Sequence, residues 1–304
     1  MSDNSGNVPD AAWKQLFVAA QSLNDGTSSG TPKQMSAEDR NFLENAMSEM
    51  VRKTDPVRQM IEHIKELREI KDLMSNVDID KICLIVDQLE NIVCNVDCAV
   101  DFCKLGGISE IQRFMDAPND EAKIEVMRLL PTVLQNNPGA QVMVLKTNLL
   151  TSLLSILNDM NESTGVKIKA LSAISALIRS CDAAYSLFRS QNGFKAIEDV
   201  FNKSIAVQND KLASKAAVTL TSIANDLGYE SSLDIGLPTV IVRMYAHLTA
   251  NSLSISYLRS YVSENLNIKK IDAENRNLIL RGLERDLKFE RESPESDKVR
   301  LVIL

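Results

Sequence analysis

Three of the chain's five cysteines, Cys94, Cys98 and Cys103, fall within ten positions of the stretch NIVCNVDCAVDFCKLGG, residues 91–107. Thiols so close could ligate a metal, form a redox pair or supply a nucleophile. A structural zinc needs a complete set of about four ligands, with closely spaced cysteines and partners brought in from elsewhere. Here the spacings are four and five, Cys83 lies eleven residues earlier, Cys181 is remote, and His63 and His247 are the only histidines. No motif places a base, a nucleophile and an oxyanion donor together, so a catalytic pairing of a cysteine with either histidine has little support. Packing is the favoured reading, because a buried cysteine behaves as a small hydrophobe. The sequence therefore predicts no catalytic residue, no metal and no cofactor.

The bulk numbers narrow the function classes. At 304 residues and 44% hydrophobic, the chain can bury a substantial core, and cysteines without evident partners suit a reducing compartment. The opening MSDNSGNVPD has neither a basic region nor an apolar run, and no run of about twenty apolar residues could span a bilayer. A cytoplasmic protein that does not enter the membrane is expected. A net charge of −7 disfavours a general nucleic-acid surface, which needs clustered lysine and arginine. No small-molecule chemistry is indicated, so protein partners are the expectation.

The elements that hold these residues read as helices. Glycine and proline are scarce, and apolar residues recur at intervals of three and four. Residues 36–52 begin with a capping-box pattern, Ser36 and Asp39, and place Phe42, Leu43, Ala46, Met47, Met50 and Val51 on one stripe. A second helix has Asp55 as cap and Pro56 at its first position, with Val57, Met60, Ile61, Ile64 and Leu67 as its buried face. Before these lies QSLNDGTSSGTPKQM, residues 21–35, polar and rich in Gly, Ser and Thr, the composition of a flexible linker. It carries AAWKQLFVAA, with the single tryptophan Trp13 beside Leu16 and Phe17. That segment is either a helix docked on the body or an apolar bait on a tether.

Self-comparison decides the fold class. A shift of 41 lays Leu89 on Leu130, Asn95 on Asn136 and Ala99 on Ala140; a shift of 44 then lays Leu130 on Ile174, Leu134 on Ile178 and Ala140 on Ala184. A shift of 46 matches Ile174 to Leu220, and 44 returns for Ile197 and Ile241. This period, with a short helix, a second and a longer third in each unit, predicts an all-α, armadillo-like right-handed α-solenoid. The expected division is a flexible segment 1–35, N-terminal capping helices 36–76, four repeats over 77–250, and capping helices with a loose tail over 251–304. The cysteines then sit where helix hands over to helix, and the Gly106–Gly107 pair makes a sharp turn. Pro131 falls inside a third helix and predicts a local bend.

Stacked repeats bury one continuous core and present a concave face lined by the long third helices. Positions four apart on their exposed stripes are Asp87, Asn91 and Asn95; Arg128, Thr132 and Asn136; Ser172, Ala176 and Ser180; Val218, Ser222 and Asp226. One turn earlier come Glu125, Lys169 and Lys215. These are the candidate partner-binding residues. The face reads as acidic at its first end and more basic further on, although an ordinary solvated helical face carries similar charge.

Three stretches go beyond architecture: MSAEDRNFLENAMSEM, DPVRQMIEHIKEL and, above all, NIVCNVDCAVDFCKLGGISEI. They resemble the heat shock protein 70-binding protein 1 family, armadillo-type nucleotide exchange factors of the cytosolic seventy-kilodalton chaperone. The likeness covers most of residues 36–250 and is sharpest over Asp97–Gly107. The resemblance implies a chemically inert, curved body that embraces one lobe of the chaperone's nucleotide-binding domain and promotes ADP release. It also implies that the N-terminal segment, here Trp13, Leu16 and Phe17, acts as a client mimic. A generic armadillo adaptor is the alternative; the import-receptor version, which uses tryptophan rows on the groove, is disfavoured because no repeat contains tryptophan.

Overall fold

A computed structural model describes residues 37–71, 73, 78–249, 254–265 and 272–292. Trp13, Leu16, Phe17, the linker at 21–35, Ser36 of the capping box and the tail from 293 lie outside the described residues, as do the side chains of Asp39, Met50 and Val51. The described residues are all-helical, with no strand among them. By contacts the chain divides into two compact units, Met1–Lys65 and Glu66–Leu304.

The first unit holds α1 (Ala37–Thr54) and most of α2 (Pro56–Glu69). Asp55 caps α2 as expected, accepting from the Val57 amide at 3.0 Å, with Pro56 at the first helical position. The stripe expected on α1 is only partly realised. Met47 is 6% exposed, but Phe42 is 72% exposed and Ala46 also faces outward. On α2, Met60, Ile64 and Leu67 are buried while Ile61 is not.

The second unit continues with α3 (Ile79–Val93), α4 (Val96–Lys104), α5 (Gly107–Met115), α6 (Asp120–Met127), α7 (Leu129–Leu134), α8 (Pro138–Val144), α9 (Leu149–Asn158), α10 (Thr164–Ile178), α11 (Asp182–Ser190), α12 (Gly193–Ala206), α13 (Asp210–Leu227), α14 (Tyr229–Asp234), α15 (Leu237–His247), α16 (Ile255–Asn265) and α17 (Ala273–Glu292). The long helices start at one recurring device. Asp78, Asn119, Ser163 and Asn209, spaced by 41, 44 and 46, each accept from the amide three residues on, at Lys81, Ala122, Val166 and Leu212. Each such cap stabilises its helix by about 1 kcal/mol. The spacings equal the shifts found by self-comparison.

Each helix then packs on its counterpart in the next repeat. The long helices form one row, α3 on α6 and α7, these on α10, α10 on α13 and α13 on α16. The first helices form a second row, α4 on α8 and α8 on α11, and the second helices a third, α5 on α9, α9 on α12 and α12 on α15. Their contacts are apolar: Leu89, Leu130, Ile174 and Leu220, matched in the repeat register, are all completely buried. Ala140 and Ala184 are buried at the corresponding place in α8 and α11, and Ala99 is buried in α4 one position further from its cap; small side chains there let axes approach.

The glycine pair divides its labour. Gly106 has φ +86°, a left-handed turn residue, and Asn192 and Gly236 take the same conformation at the same junction of later repeats. Gly107 has no such requirement. A Cβ there would stand 2.3 Å from the Phe102 ring, just as one at Gly193 would stand 2.1 Å from Phe188. The second glycine is a close-approach residue rather than a turn residue.

Pro131 interrupts its helix as expected. The long helix of that repeat is split at Arg128 into α6 and α7, and Pro131 thereby falls in the first turn of α7, where its missing N–H has no intrahelical acceptor to lose. Beyond residue 250, α16 extends the row of long helices and α17 packs on α15, with Gly282 against the Tyr245 ring and the Tyr245 hydroxyl donating to buried Asp286 at 2.7 Å. No single helix among the described residues is long and apolar enough to cross a membrane. The pair α8 and α9 reaches that composition together, but it is bent by 76° and Leu149, Leu153 and Leu157 are buried in the unit.

Candidate partner-binding face

The row of long helices exposes one polar stripe, and the N-caps fix its register by starting each helix at the same phase. At its first end, Arg128 of the α6–α7 break reaches back to α3. Its guanidinium pairs with Asp87 at 2.5 Å, with Glu90 at 3.6 Å and with Glu125 at 3.4 Å. Thr132 donates to Glu90 at 3.0 Å. Burial alone would pull Arg128 down, but the Asp87 hydrogen bond and the fields of Glu125 and Glu90 outweigh it and raise its pKa. Burial, aided by Glu125, also raises the Cys83 thiol beside this cluster.

Further along, the stripe closes around a cavity of about 320 Å³ between α7, α10 and α13. Five residues that the sequence predicts for the stripe line it: Ser172, Ala176, Lys215, Val218 and Ser222. Burial first, then the charge of Lys169, lowers the Lys215 ammonium below the ordinary lysine value. Asp226 of α13 is turned back into the chain, with Oδ2 accepting from the Ser180 amide at 2.6 Å and Oδ1 from its hydroxyl at 3.0 Å.

Three picked residues have structural duties at helix ends. Asn136 and Ser180 have φ of 54° and 55° and stand just past the ends of α7 and α10, the left-handed position that terminates a helix. Asn95 caps α4 by accepting from the amides of Asp97 and Cys98. Its functional counterpart is Asn137, which caps α8, so the register that paired Asn95 with Asn136 slips by the one left-handed residue inserted there.

The stripe also contains residues that stepping by four passes over. Gln135, Ser175 and Arg179 line the cavity, and Glu90 braces Arg128. Tyr257 of α16 bonds Ser222 at 3.3 Å and Asn225 at 3.1 Å. Four residues advance a helix by 400°, so each step drifts about 40° around the axis. Alternating three and four, as in Ser172, Ser175 and Arg179, holds one face and would have found them.

The cysteines do not converge on a site. All five are free, Cys94 is exposed with its thiol on the Asn91 carbonyl, and Cys103 is half-buried, its pKa pushed up to about 11 by burial. Among the described residues no three His, Cys, Asp or Glu side chains are arranged to hold a metal ion. His247 is exposed, with Nδ1 on the Arg243 carbonyl.

Comparison with known proteins bears on what this face meets. Residues 98–233 match the SIL1/FES1/HPBP1 C-terminal domain family. Hsp70-binding protein 1 of Mus musculus is 30% identical over 199 residues, 63% of this chain and 54% of that protein. The Homo sapiens protein of the same name is 29% identical over 199 residues, again 63% and 54%. The Hsp70 nucleotide exchange factor FES1 of Debaryomyces hansenii is 35% identical over 89 residues, 29% of this chain and 31% of that one. The chain thus spans about half the length of the Hsp70-binding protein 1 relatives it matches. A solved engineered protein overlaps 75% of this chain at a TM-score of 0.49 and 15% identity, too weak a likeness to bear on the fold. The resemblance carried by the Asp97–Gly107 junction is therefore real: from residue 98 to residue 233 this chain is similar to the SIL1/FES1/HPBP1 C-terminal domain, the family of Hsp70-binding protein 1 and FES1.

Proposed function

We propose that this chain is a nucleotide exchange factor of a cytoplasmic Hsp70 chaperone, acting by binding alone and catalysing no reaction of its own. The observation that carries the reading is the family match over residues 98–233, together with relatives named for Hsp70 binding and for Hsp70 nucleotide exchange. In this proposal the three rows of helices form an armadillo-like right-handed α-solenoid. Residues 36–76 cap it, 77–250 supply the repeats, 251–304 close it, and 1–35 form a separate segment. The long-helix stripe from Asp87 to Asp226 is the concave face that takes the chaperone's nucleotide-binding domain.

The mechanism asks only for differential affinity. A body that fits one lobe of the nucleotide-binding domain when its two lobes are apart, and not when they close on ADP, shifts the domain towards the open state. Hastening release about a hundredfold requires about 2.7 kcal/mol of preference, within the usual range of coupling between sites. A segment bearing Trp13, Leu16 and Phe17 would meet the chaperone's client site at high effective concentration once the body is docked.

Release of labelled ADP from Hsp70, followed with increasing amounts of this protein, tests the reading. Acceleration that saturates is expected; none at saturation refutes it. Removal of residues 1–35 is expected to spare ADP release and to slow client discharge.

A further inference from the structure

The cavity between α7, α10 and α13 differs from the rest of the stripe in its charge. Two cations line it, Arg179 and Lys215, and no carboxylate does. Arg179 Nε is buried without a hydrogen-bond acceptor. The arginine cannot simply swing its backbone elsewhere, because the carbonyls of Ala176 and Arg179 are both held at 3.0 Å by the side-chain amide of Gln141, itself 1% exposed on α8. Lys215 stands near Lys169, so a second positive charge adds to the first. Asp226, whose two oxygens accept from Ser180, makes no ion pair with either cation.

A buried guanidinium nitrogen left without an acceptor forfeits its hydration, a cost that a matching acceptor would remove. Arg128 Nε at least has Glu125 at 3.4 Å, whereas Arg179 has no carboxylate of this chain in ion-pair reach, so an acceptor from outside would remove the cost. The rest of the lining says what kind. Pro131, Ala176 and Val218 offer apolar contact, while Ser172 and Ser175 offer hydroxyls. A charged head on a short hydrocarbon stem satisfies all of these at once. At about 320 Å³ the space admits one side chain with water around it.

We infer that this cavity receives an aspartate or glutamate side chain from the chaperone, with Arg179 and Lys215 as its counter-charges. The inference rests on the exchange-factor reading and adds to it the point where recognition is electrostatic. The net charge of −7 argues against a nucleic-acid phosphate as the occupant, because a polyanion would be repelled by the remainder of the surface. A pair formed here, between half-buried groups, is screened less by solvent than one on the open surface.

The test measures the affinity of the full chain for an Hsp70 nucleotide-binding domain. Lys215→Met keeps the length of the side chain and removes its charge; Arg179→Gln removes the unpartnered nitrogen. Lys195→Met, at an exposed side chain of α12 that pairs with Asp199, is the control. Each cavity variant is expected to bind about tenfold more weakly and to lose part of the wild-type salt dependence, with the control unchanged. Pairing Lys215→Met with Asp→Asn and Glu→Gln changes across the chaperone lobe is expected to find one acid whose loss adds nothing further. If wild type binds and hastens ADP release while Lys215→Met and Arg179→Gln bind equally well, the cavity assignment is wrong and the exchange-factor reading stands. If wild type neither binds nor hastens release, both fall. Should Arg179→Gln unfold the chain, Lys215→Met and the pairing experiment decide alone.

Discussion

The two ends of the polar stripe handle charge in opposite ways. At the first end, one arginine sits among three carboxylates, Asp87, Glu90 and Glu125, and its field is consumed within the chain. Arg128 Nε lacks an aligned hydrogen bond, yet Glu125 stands 3.4 Å from it. At the cavity, Lys169, Arg179 and Lys215 make no ion pair among the described residues, and Arg179 Nε has no acid beside it. The same row of helices therefore offers one cluster that ties repeats together and one that is unfinished until something binds. Charge that is paired internally contributes to the fold; charge left unpaired at the cost of burial is the better mark of a partner site.

Both clusters depend on the scaffold, and the largest effect comes from breaking it. A Cβ at Gly193 would lie 2.1 Å from the Phe188 ring, which is completely buried and has nowhere to move. Gly193→Ala is expected to destabilise by about 3 kcal/mol, the upper end of overpacking costs, and to weaken partner binding in proportion to the unfolded fraction. Urea unfolding checks it. A loss well under 1 kcal/mol would mean that the α11–α12 junction is looser than its contacts indicate.

Reversal of the unfinished cluster comes next. Lys169→Glu with Lys215→Glu is expected to weaken chaperone binding about a hundredfold, about 2.7 kcal/mol, while the helical circular dichroism signal stays at the wild-type value. Unchanged affinity would remove both lysines from the interface.

How much of this was legible in the sequence depends on what each residue's signal competes with. The period was readable because the caps Asp78, Asn119, Ser163 and Asn209 and the buried leucines and isoleucines repeat together, and nothing else explains their spacing. Lys215, Ser172 and Ser222 are readable as lining because their helices run unbroken and the phase is set at the cap. Arg179 and Gln135 were passed over, since steps of four drift around the axis. Asn136 and Ser180 are exposed polar positions that also end α7 and α10 in the left-handed conformation, a duty that their residue types alone do not announce. Phe42 shows the limit of apolar periodicity: its spacing fits a buried stripe, yet it is 72% exposed. Gly107 looks in sequence like a turn glycine, because the ring that forbids its side chain lies on the preceding helix and is not visible as a turn signal.

The comparison also predicts opposite stability effects for one chemical change. Arg128→Met leaves Asp87, Glu90 and Glu125 facing one another, and a loss of about 1 kcal/mol is expected, the scale of a partly exposed ion-pair network. Lys215→Met removes a desolvated charge that pairs with nothing, and stability is expected to hold or to rise slightly. Urea midpoints of the two variants against wild type give the signs. A loss of the same size in both would erase the distinction between a finished and an unfinished cluster.

The smallest effect isolates Lys215 by pH. Burial, then Lys169, holds its folded pKa below that of the unfolded chain, which lies at about 10.4. Between those two values the unfolded chain keeps a proton that the folded chain has released, so in that window stability rises with pH. The penalty of the buried ammonium is thus fully present below its folded pKa and relieved above it. Any advantage of Lys215→Met over wild type in urea is expected at neutral pH and should shrink as pH climbs through the window. Affinity for the chaperone should fall over the same range in wild type, because the cavity loses a charge as the lysine deprotonates, and should stay flatter in the variant. A stability difference that is level with pH would show that Lys215 titrates as an ordinary surface lysine, and its neighbourhood would then resemble the first end of the stripe.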